Sequence, residues 1–459
     1  MKKLVLFLFC ILIIGSCTVP RDPGKPNVLL ILSDDQGSID LNCYGATDLQ
    51  TPNLDKLATG GVRFTQFYAA ASVCSPSRAA LLTGKTNLKA GLPGNVPIPE
   101  YQEEGQKAGL PANQITIAEM LKENEYSTAL VGKWHLGHSP EQLPNSQGFD
   151  HFFGHERGCI DNYSHFFYWK GPNKHDLHRN GEEVYYPGRN FGDLMVEEIL
   201  DLLNKKQEKP FFIYWAFNAP HYPYQGTVEW QDYYKNHPYP RNLYAAFVSS
   251  MDERIGIVLN ELDKLGLSDN TIVIFQSDQG HSTEERAHWG GGNAGPYRGC
   301  KFSFFEGGIR VPAIIRYPGV IPQNEVREQV TSEMDWLPTI AELTGSEILD
   351  KGIEGKSLMP VIEDPGEKSQ HEVLHWQQGD YSNKSPWAVR EGDWKLLGNP
   401  EDRSTDQKFT GEDTLFLVYL KEDVSEKANL SGKYPEEVQR LKALHYEWLG
   451  RIKKERKKK

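Results

Sequence analysis

A cysteine stands two residues before a proline, and an apolar run follows, within residues 72–84. Pro76 suits the first turn of a helix, where its missing N–H group is no loss. Such a helix would place Cys74 at the positive end of its dipole, where negative charge is stabilised. Arg78 would then lie near Cys74 and could offer a forked donor to an oxyanion. The spacing therefore indicates an anion site, although a structural cysteine beside a surface arginine is the simpler alternative.

Ionisable side chains follow four short apolar segments, each with the composition of a strand that is buried on both faces. The segments are Val28–Leu32, Thr128–Val131, Phe211–Phe217 and Thr271–Gln276. The side chains that follow them are Asp34 and Asp35, Lys133 and His135, His221, and Asp278. Ligands of open parallel sheets bind beyond the carboxyl ends of the strands. We therefore expect these side chains to gather at one edge of the fold and to form a single active site.

Two acidic turns could hold a metal ion. Asp34-Asp35 and Ser277-Asp278-Gln279 supply carboxylate and amide oxygens, which suit a hard cation such as calcium. An adjacent aspartate pair alone is more often a simple turn. Because each of these two acidic segments directly follows a predicted buried strand, the sequence favours a calcium site over a simple turn. No spacing of cysteine and histidine in the chain is typical of zinc.

Apolar strands alternate with amphipathic helices through the first three quarters of the chain. The predicted strands include Asn27–Leu32, Val62–Tyr68, Pro210–Phe217 and Val311–Tyr317, and the predicted helices Thr116–Asn124, Phe191–Lys205, Leu243–Leu265 and Asp335–Leu343. This alternation predicts an α/β fold with a large, mainly parallel sheet that is covered by helices on both sides. We assign it to residues 26–345.

Strands follow one another without long helices between them after about residue 344. The segments His371–Gln377, Trp387–Leu397 and Leu415–Leu420 read as strands, with a turn inside the second at Glu391–Asp393. Pro435–Arg451 reads as a closing helix, with a solvated basic tail behind it. Residues 346–459 are therefore predicted to form a smaller α+β subdomain with an antiparallel sheet.

Charge and cysteine content narrow the class of protein. The 459-residue chain has a net charge of −12, so no basic surplus indicates a nucleic-acid partner. Beyond the N-terminal segment, four scattered cysteines do not form a disulfide-dense scaffold: Cys43, Cys74, Cys159 and Cys300. Cys43 or Cys159 could pair with Cys300, and the sequence does not decide between these pairings.

The first residues are predicted to be a targeting segment. Lys2 and Lys3 precede the apolar run Leu4–Ile14, which is too short to span a bilayer comfortably. The run ends in Ile14-Gly15-Ser16-Cys17, which looks like a bacterial lipobox. Residues 1–16 would then be removed and lipid attached to Cys17, an ordinary signal peptide being the alternative. We expect an exported protein of the bacterial periplasm or cell surface, anchored to the membrane by lipid.

Two motifs resemble the signatures of the type I sulfatases of the alkaline phosphatase superfamily. They are Cys-Ser-Pro-Ser-Arg with the following Leu-Leu-Thr-Gly in residues 74–84, and Gly-Lys-Trp-His-Leu-Gly in residues 132–137. His221 and Lys301 also occupy recognisable family positions. The resemblance runs from about Asn27 to Leu343 and continues more loosely beyond. It implies an alkaline-phosphatase-like fold and a Cys74 that a maturation enzyme oxidises to formylglycine (3-oxoalanine).

The resemblance also implies a metal site and a reaction. Calcium would be bound by Asp34, Asp35, Asp278, Gln279 and the modified Cys74. The family often has asparagine at the position of Gln279, which carries the same amide oxygen on a longer side chain. The implied reaction is hydrolysis of sulfate esters by the hydrated aldehyde. The implied roles are charge stabilisation by Arg78, Lys133 and Lys301, protonation of the leaving oxygen by His221 with help from Lys301, and proton removal by His135.

The substrate is indicated less directly. Asp161–His165 is similar to a segment of N-acetylgalactosamine-4-sulfatases, so His165 could touch a sugar or could lie in an ordinary surface loop. The aromatic residues 166–169 and Trp289 could stack on a carbohydrate or belong to the core. We expect a sulfated saccharide of the galactose or N-acetylgalactosamine type. The alternatives are a phosphonate monoester or phosphodiester hydrolase of the same superfamily and a non-catalytic, surface glycan-binding lipoprotein.

Overall fold

The computed structural model describes residues 24–101, 108–169, 173–205, 208–404 and 414–457. The predicted signal segment 1–16 and the lipid-carrying Cys17 lie outside the described residues. Among the helices within the described ranges, none combines the length and the apolar composition that a membrane crossing needs.

The described residues contain eighteen strands, numbered β1 to β18, and eleven α-helices, numbered α1 to α11. The strands are β1 Asn27–Ser33, β2 Val62–Phe64, β3 Phe67–Tyr68, β4 Ser127–Lys133, β5 His151–His155, β6 Phe166–Phe167, β7 Lys174–His175, β8 His178–Arg179, β9 Glu182–Glu183, β10 Phe211–Ala216, β11 Thr271–Ser277, β12 Ala313–Arg316, β13 Glu325–Arg327, β14 Thr331–Ser332, β15 Val373–Gln377, β16 Trp387–Glu391, β17 Trp394–Gly398 and β18 Leu415–Tyr419. The helices are α1 Pro52–Thr59, α2 Cys74–Thr83, α3 Asn87–Ala90, α4 Ile117–Glu123, α5 Phe191–Asn204, α6 Val228–Tyr233, α7 Arg241–Lys264, α8 Glu306–Ile309, α9 Trp336–Thr344, α10 Met359–Glu363 and α11 Pro435–Arg456.

Ten strands form one large sheet in the order β13-β2-β12-β11-β1-β10-β4-β5-β8-β9. Its centre, from β11 through β1, β10 and β4 to β5, is parallel, while β12 runs antiparallel to both of its neighbours. Side chains of β1 alternate between the two faces, with Leu30 in one buried apolar cluster and Ile31 in the other. The predicted α/β fold with a mainly parallel sheet covered on both sides is confirmed.

A smaller antiparallel sheet, in the order β15-β16-β17-β18, packs against helix α11. The turn predicted at Glu391–Asp393 separates β16 from β17. Helix α10 packs in the core of the large sheet through Met359 and Val361. Helix α11 continues to Arg456, so the first part of the expected tail is helical.

Local details differ from the sequence-based expectations. Residues 62–68 form two short strands because β2 pairs with β12 and β13, whereas β3 pairs with β14. The segment from Glu306 forms the helical turn α8, which leads to strand β12. Its Gly308 lies against the chain, since a Cβ there would be 2.1 Å from the carbonyl oxygen of Ser303. Cys43, Cys74, Cys159 and Cys300 are all free thiols, so neither considered pairing with Cys300 forms.

Candidate active site

The carboxyl ends of four parallel strands and the first turn of α2 meet at one edge of the large sheet. Strand β1 leads to Asp34 and Asp35, β4 to Lys133 and His135, β10 to His221 and β11 to Asp278. In-register pairing of β1 with β11, which ends at Ser33 and Ser277, places the two acidic turns side by side. The structure thus brings together the side chains that the sequence predicts to share one site, all of them buried.

Helix α2 is wholly buried and begins at Cys74, with Pro76 in its first turn. Beneath this turn, the Ser77 hydroxyl lies 2.6 Å from the carbonyl oxygen of Asp278 and 2.8 Å from a carboxyl oxygen of Glu333. Burial raises the pKa of Glu333 well above its usual range. Through its contact with Ser77, Glu333 supports the turn that carries Cys74. No sequence motif singles it out.

Three cations and three carboxylates interlock behind Cys74. The Lys133 ammonium lies 2.6 Å from Asp34, and the Lys301 ammonium lies 2.8 Å from Asp35. The Arg78 guanidinium donates to Asp278 at 3.0 Å and lies 3.6 Å from Asp34. All three cations are buried and held in place by these carboxylates, so an arriving sulfate monoanion would meet cations that the protein has already desolvated.

The carboxyl groups of this cluster differ in pKa because their surroundings differ. Burial alone would raise the pKa of Asp34, but the neighbouring positive charges, Lys133 first among them, together outweigh it and hold that pKa well below its usual range. Burial raises the pKa of Asp35 to about 6 against the opposing effect of Lys301. Burial and then the charge of Asp34 raise the pKa of Asp278 to about 8. A further cation among these carboxylates would therefore be favourable.

Asp34, Asp35 and Cys74 each offer a ligand atom, and these atoms lie within 4.8 Å of one another. Gln279 closes the group, since its Nε2 donates to Asp35 and lies 3.6 Å from the Cys74 sulfur. Its Oε1 is buried and has no hydrogen-bond partner among the described residues. Turning the amide over would exchange these two atoms and present the oxygen to the carboxylates. The oxygen-rich donor set with its unpartnered amide oxygen fits a hard cation.

Two histidines face the same space in neutral form. Burial, and then the charge of Lys133, lower the pKa of His135 well below its usual value. Burial, and then Lys301, do the same to His221. The Nδ1 of His221 lies 2.6 Å from the backbone carbonyl of Tyr222 and must donate to it, which leaves Nε2 as the free acceptor of the ring. A neutral ring can accept a proton from a bound molecule, and it can give one back only after it has become protonated.

Cys74 lies in the wall of a cavity of about 310 Å³, which His135, His221 and Lys301 also line. Burial raises the pKa of the Cys74 thiol to about 12, so an unmodified thiol is protonated at neutral pH. The remaining lining is mostly apolar and comes from residues 95–98, Gly158, Cys159, Phe167, Trp169, Tyr222, Glu284 and Phe302. The sequence analysis missed most of these wall residues, because they lie in loops and belong to no motif.

Two candidate sugar contacts of the sequence analysis do not line this cavity. His165 is fully buried and its Nε2 lies 3.0 Å from the carbonyl oxygen of Arg189, because the turn at Asp161 directs it towards helix α5. Trp289 is 74% exposed on the surface. Of the aromatic segment 166–169, Phe167 and Trp169 do reach the cavity.

Comparisons with known proteins agree with this geometry. Residues 26–346 match the family model described as Sulfatase, and residues 300–449 match the C-terminal model of N-sulphoglucosamine sulphohydrolase. The chain is 32% identical to arylsulfatase A of Homo sapiens over 91% of its own length and 87% of that protein. It is 36% identical to N-acetylgalactosamine-6-sulfatase of Canis lupus familiaris over 74% of its own length and 66% of that protein. The crystal structure of Ps i-CgsB in complex with k-i-k-neocarrahexaose superposes with a TM-score of 0.81 at 29% identity, covering 93% of each chain.

Proposed function

Since this chain belongs to the sulfatase family and is a sulfuric ester hydrolase, we propose that its substrate is a sulfated saccharide of the galactose or N-acetylgalactosamine type. The observation that carries the proposal is the position of Cys74, which begins a buried helix in the wall of a cavity, next to the cations Lys301, Lys133 and Arg78. The relatives support the choice of sugar, since one is an N-acetylgalactosamine-6-sulfatase and the structure of another was solved in complex with k-i-k-neocarrahexaose.

Three cations would hold the sulfate group. Lys301 lines the cavity directly, while Lys133 and Arg78 lie just behind Cys74 and are fixed by buried carboxylates. Because these groups are desolvated and held in place before substrate arrives, their attraction for the sulfate oxygens is stronger than it would be in water. The arrangement stabilises the charge that moves onto these oxygens in the transition state.

Residue 74 would react in its oxidised form. Formylglycine, made from Cys74 by a maturation enzyme, supplies a hydrated aldehyde with one hydroxyl to attack sulfur and a second to permit release of sulfate. The His221 ring would take up a proton at Nε2 from solvent and then give it to the leaving sugar oxygen, assisted by Lys301. The His135 ring would accept the proton of the second hydroxyl. Both rings line the cavity beside Cys74, as these transfers require.

Calcium is the metal that we propose for the site. Asp34, Asp35, Asp278 and Gln279 would hold it together with residue 74, and their oxygen donors suit this cation. Bound calcium would offset negative charge at the reacting group. The unpartnered Oε1 of Gln279 supports its place in this set, on a side chain one methylene longer than the asparagine that the family often has.

Export and anchoring complete the proposal. The lipobox-like Ile14-Gly15-Ser16-Cys17 supports a lipid on Cys17 and a position in the periplasm or on the cell surface. A sulfated glycan would be met there, outside the cytoplasm. The partners that follow from the proposal are the saccharide, the maturation enzyme that acts on Cys74, and the membrane that holds the lipid.

The proposal is tested by measuring free sulfate released from a panel of sulfated galactose, N-acetylgalactosamine and glucosamine saccharides. The chain is produced with its maturation enzyme and assayed with and without calcium chelation, beside the Cys74→Ala variant. We expect calcium-dependent release from a galactose-type member and none from the variant. A phosphodiester panel is run in parallel. Faster turnover of phosphodiesters than of any sulfate ester, or no sulfate release by protein shown to carry the aldehyde, would contradict the proposal.

A further inference from the structure

An exposed arginine lies at the mouth of the cavity. The guanidinium carbon of Arg286 lies 4.6 Å from the centre of the Trp169 ring and 6.0 Å from that of Tyr168. Trp169 is itself part of the cavity wall. The cation therefore sits on an aromatic ring that belongs to the substrate cavity, an arrangement that holds it in place while leaving its donors exposed.

A second aromatic ring of the cavity wall, that of Tyr222, stacks on Trp169. The rings of Trp169 and Tyr222 are nearly parallel, 6.0 Å apart with 27° between their planes, and both line the cavity. The hydroxyl of Tyr222 donates to Glu284 at 3.0 Å, which fixes the orientation of its ring. These contacts connect Arg286 through two stacked rings to the wall that surrounds residue 74.

The segment that carries Arg286 is a tight turn. Backbone N–H groups of Ala287 and Trp289 both donate to the carbonyl of Glu284, at 2.9 and 3.1 Å, and Ala287 is fully buried beneath the turn. Residue 286 is thereby held directly beside Glu284, whose side chain lines the cavity. The position of the cation is set by the fold and does not depend on a long free loop.

Arg286 has no anionic partner in the part of the chain that the structure describes. Its guanidinium makes no ion pair or hydrogen bond with any described residue, although the chain as a whole carries a net charge of −12. The neighbouring carboxylate of Glu284 is directed at Tyr222 and lies 3.9 Å from Lys301. A cation that is positioned but unpaired at the mouth of a binding cavity is suited to an anion on the ligand.

We propose that Arg286 binds a second anionic substituent, a sulfate or a carboxylate, on the sugar next to the one whose sulfate is removed. A cavity of about 310 Å³ is at the lower end of the range for small-molecule sites, so the neighbouring sugar lies at the mouth, over Trp169. The inference rests on the proposed function and narrows its substrate to saccharides that carry at least two anionic groups. Arg286 acts in specificity and takes no part in the chemical step.

The test measures binding, so that it does not depend on turnover. In a Cys74→Ala background, calorimetry compares a monosulfated N-acetylgalactosamine disaccharide with the same disaccharide carrying a second sulfate on its neighbouring sugar. The comparison is repeated with Arg286→Met, which keeps an apolar side chain over Trp169 and removes the charge. We expect the preference for the doubly sulfated probe to fall about tenfold or more, the size of one charge-assisted hydrogen bond.

Arg440→Met is the matched control, since it removes an equal charge from an exposed position on helix α11 of the smaller domain. This variant should prefer the doubly sulfated probe over the monosulfated one as strongly as the parent protein does. Raising the salt concentration should weaken the preference in the parent protein and leave it unaltered in the Arg286→Met variant. The inference is overturned if the parent shows no preference for the doubly sulfated probe or fails to bind it, or if Arg286→Met preserves the preference. Absence of sulfate release by the mature enzyme would instead count against the proposed function.

Discussion

A methyl group added at Gly158 should disable the site by displacing one histidine. An ideal Cβ at this position would lie 2.8 Å from Cε1 and 2.9 Å from Nε2 of His135, whereas ordinary contacts of this kind begin near 3.4 Å. The ring is buried, and its backbone is held in the left-handed region at φ 57°. The side chain therefore has little room to move, and Gly158→Ala must shift the ring or the loop that carries residue 158.

The size of the effect follows from that overlap. Restoring ordinary contact needs a movement of roughly 0.5–1 Å, and a misplacement of about 1 Å in a reacting group costs about 100-fold in rate. We therefore expect Gly158→Ala to lower kcat by about 10- to 100-fold. Gly158→Ala should also lower the free energy of unfolding by about 1–3 kcal/mol, as at other overpacked positions, which would leave the protein folded in the assay. The loss of activity would thus exceed what unfolding at the assay temperature explains.

A double-mutant cycle that combines Gly158→Ala with His135→Ala tests whether the loss of kcat comes from displacement of the His135 ring. If the methyl acts by displacing the ring, it should have little further effect on kcat once the ring is absent. Gly94→Ala serves as the control, because a Cβ there meets nothing within 4 Å. The assay is sulfate release, with thermal unfolding followed in parallel. Full activity of Gly158→Ala, or equal losses with and without the His135 ring, would refute the reasoning.

Two further expectations concern the buried ion group at the domain interface and two concern the site. Lys395 is buried 2.8 Å from Glu306 and 2.9 Å from Glu426, so Lys395→Met should lower the free energy of unfolding by about 3–5 kcal/mol in denaturant titrations. Burial raises the pKa of Glu426 to about 7, so its ionisation lowers the free energy of unfolding above that pH, and this cost disappears as the pH falls. Glu426→Gln should therefore stabilise the protein more at pH 8 than at pH 5. An equal effect at both pH values would contradict this expectation. Gln279→Leu should require about 10- to 100-fold more calcium for the same rise in Tm, and an unchanged requirement would remove it from the metal site. His221→Ala should lower kcat/KM on saccharide sulfates by about 10²–10⁴-fold and less on an aryl sulfate with a good leaving group; equal losses on both would argue against its role as the acid.

Local pattern was sufficient to predict the fold class and the side chains at the strand ends. Short apolar runs such as Val28–Leu32 can be recognised as strands because strands that are buried on both faces are continuously apolar. The turn after each run lies at the carboxyl edge of a parallel sheet, so the order of residues alone places Asp34 and Lys133 near each other. Their separation of 2.6 Å in the folded chain bears out that placement.

Features fixed by long-range packing could not be predicted in this way. His165 lies in a segment that resembles a sugar-contacting one, yet its ring turns inward to a carbonyl 24 residues away. Glu333 supports the turn of Cys74 from a different part of the chain, and only the folded sheet brings the two together. Strand β5 escaped notice because its five residues begin and end with histidine.

The central claim is that the oxidised form of residue 74 does the chemistry. Protein is prepared with graded amounts of the maturation enzyme, and mass spectrometry of the peptide that contains residue 74 gives the fraction carrying aldehyde. The same preparations are assayed for sulfate release from the best saccharide in saturating calcium. We predict that specific activity rises in proportion to the aldehyde fraction and extrapolates to zero without it. Activity that is independent of the aldehyde fraction would contradict the account.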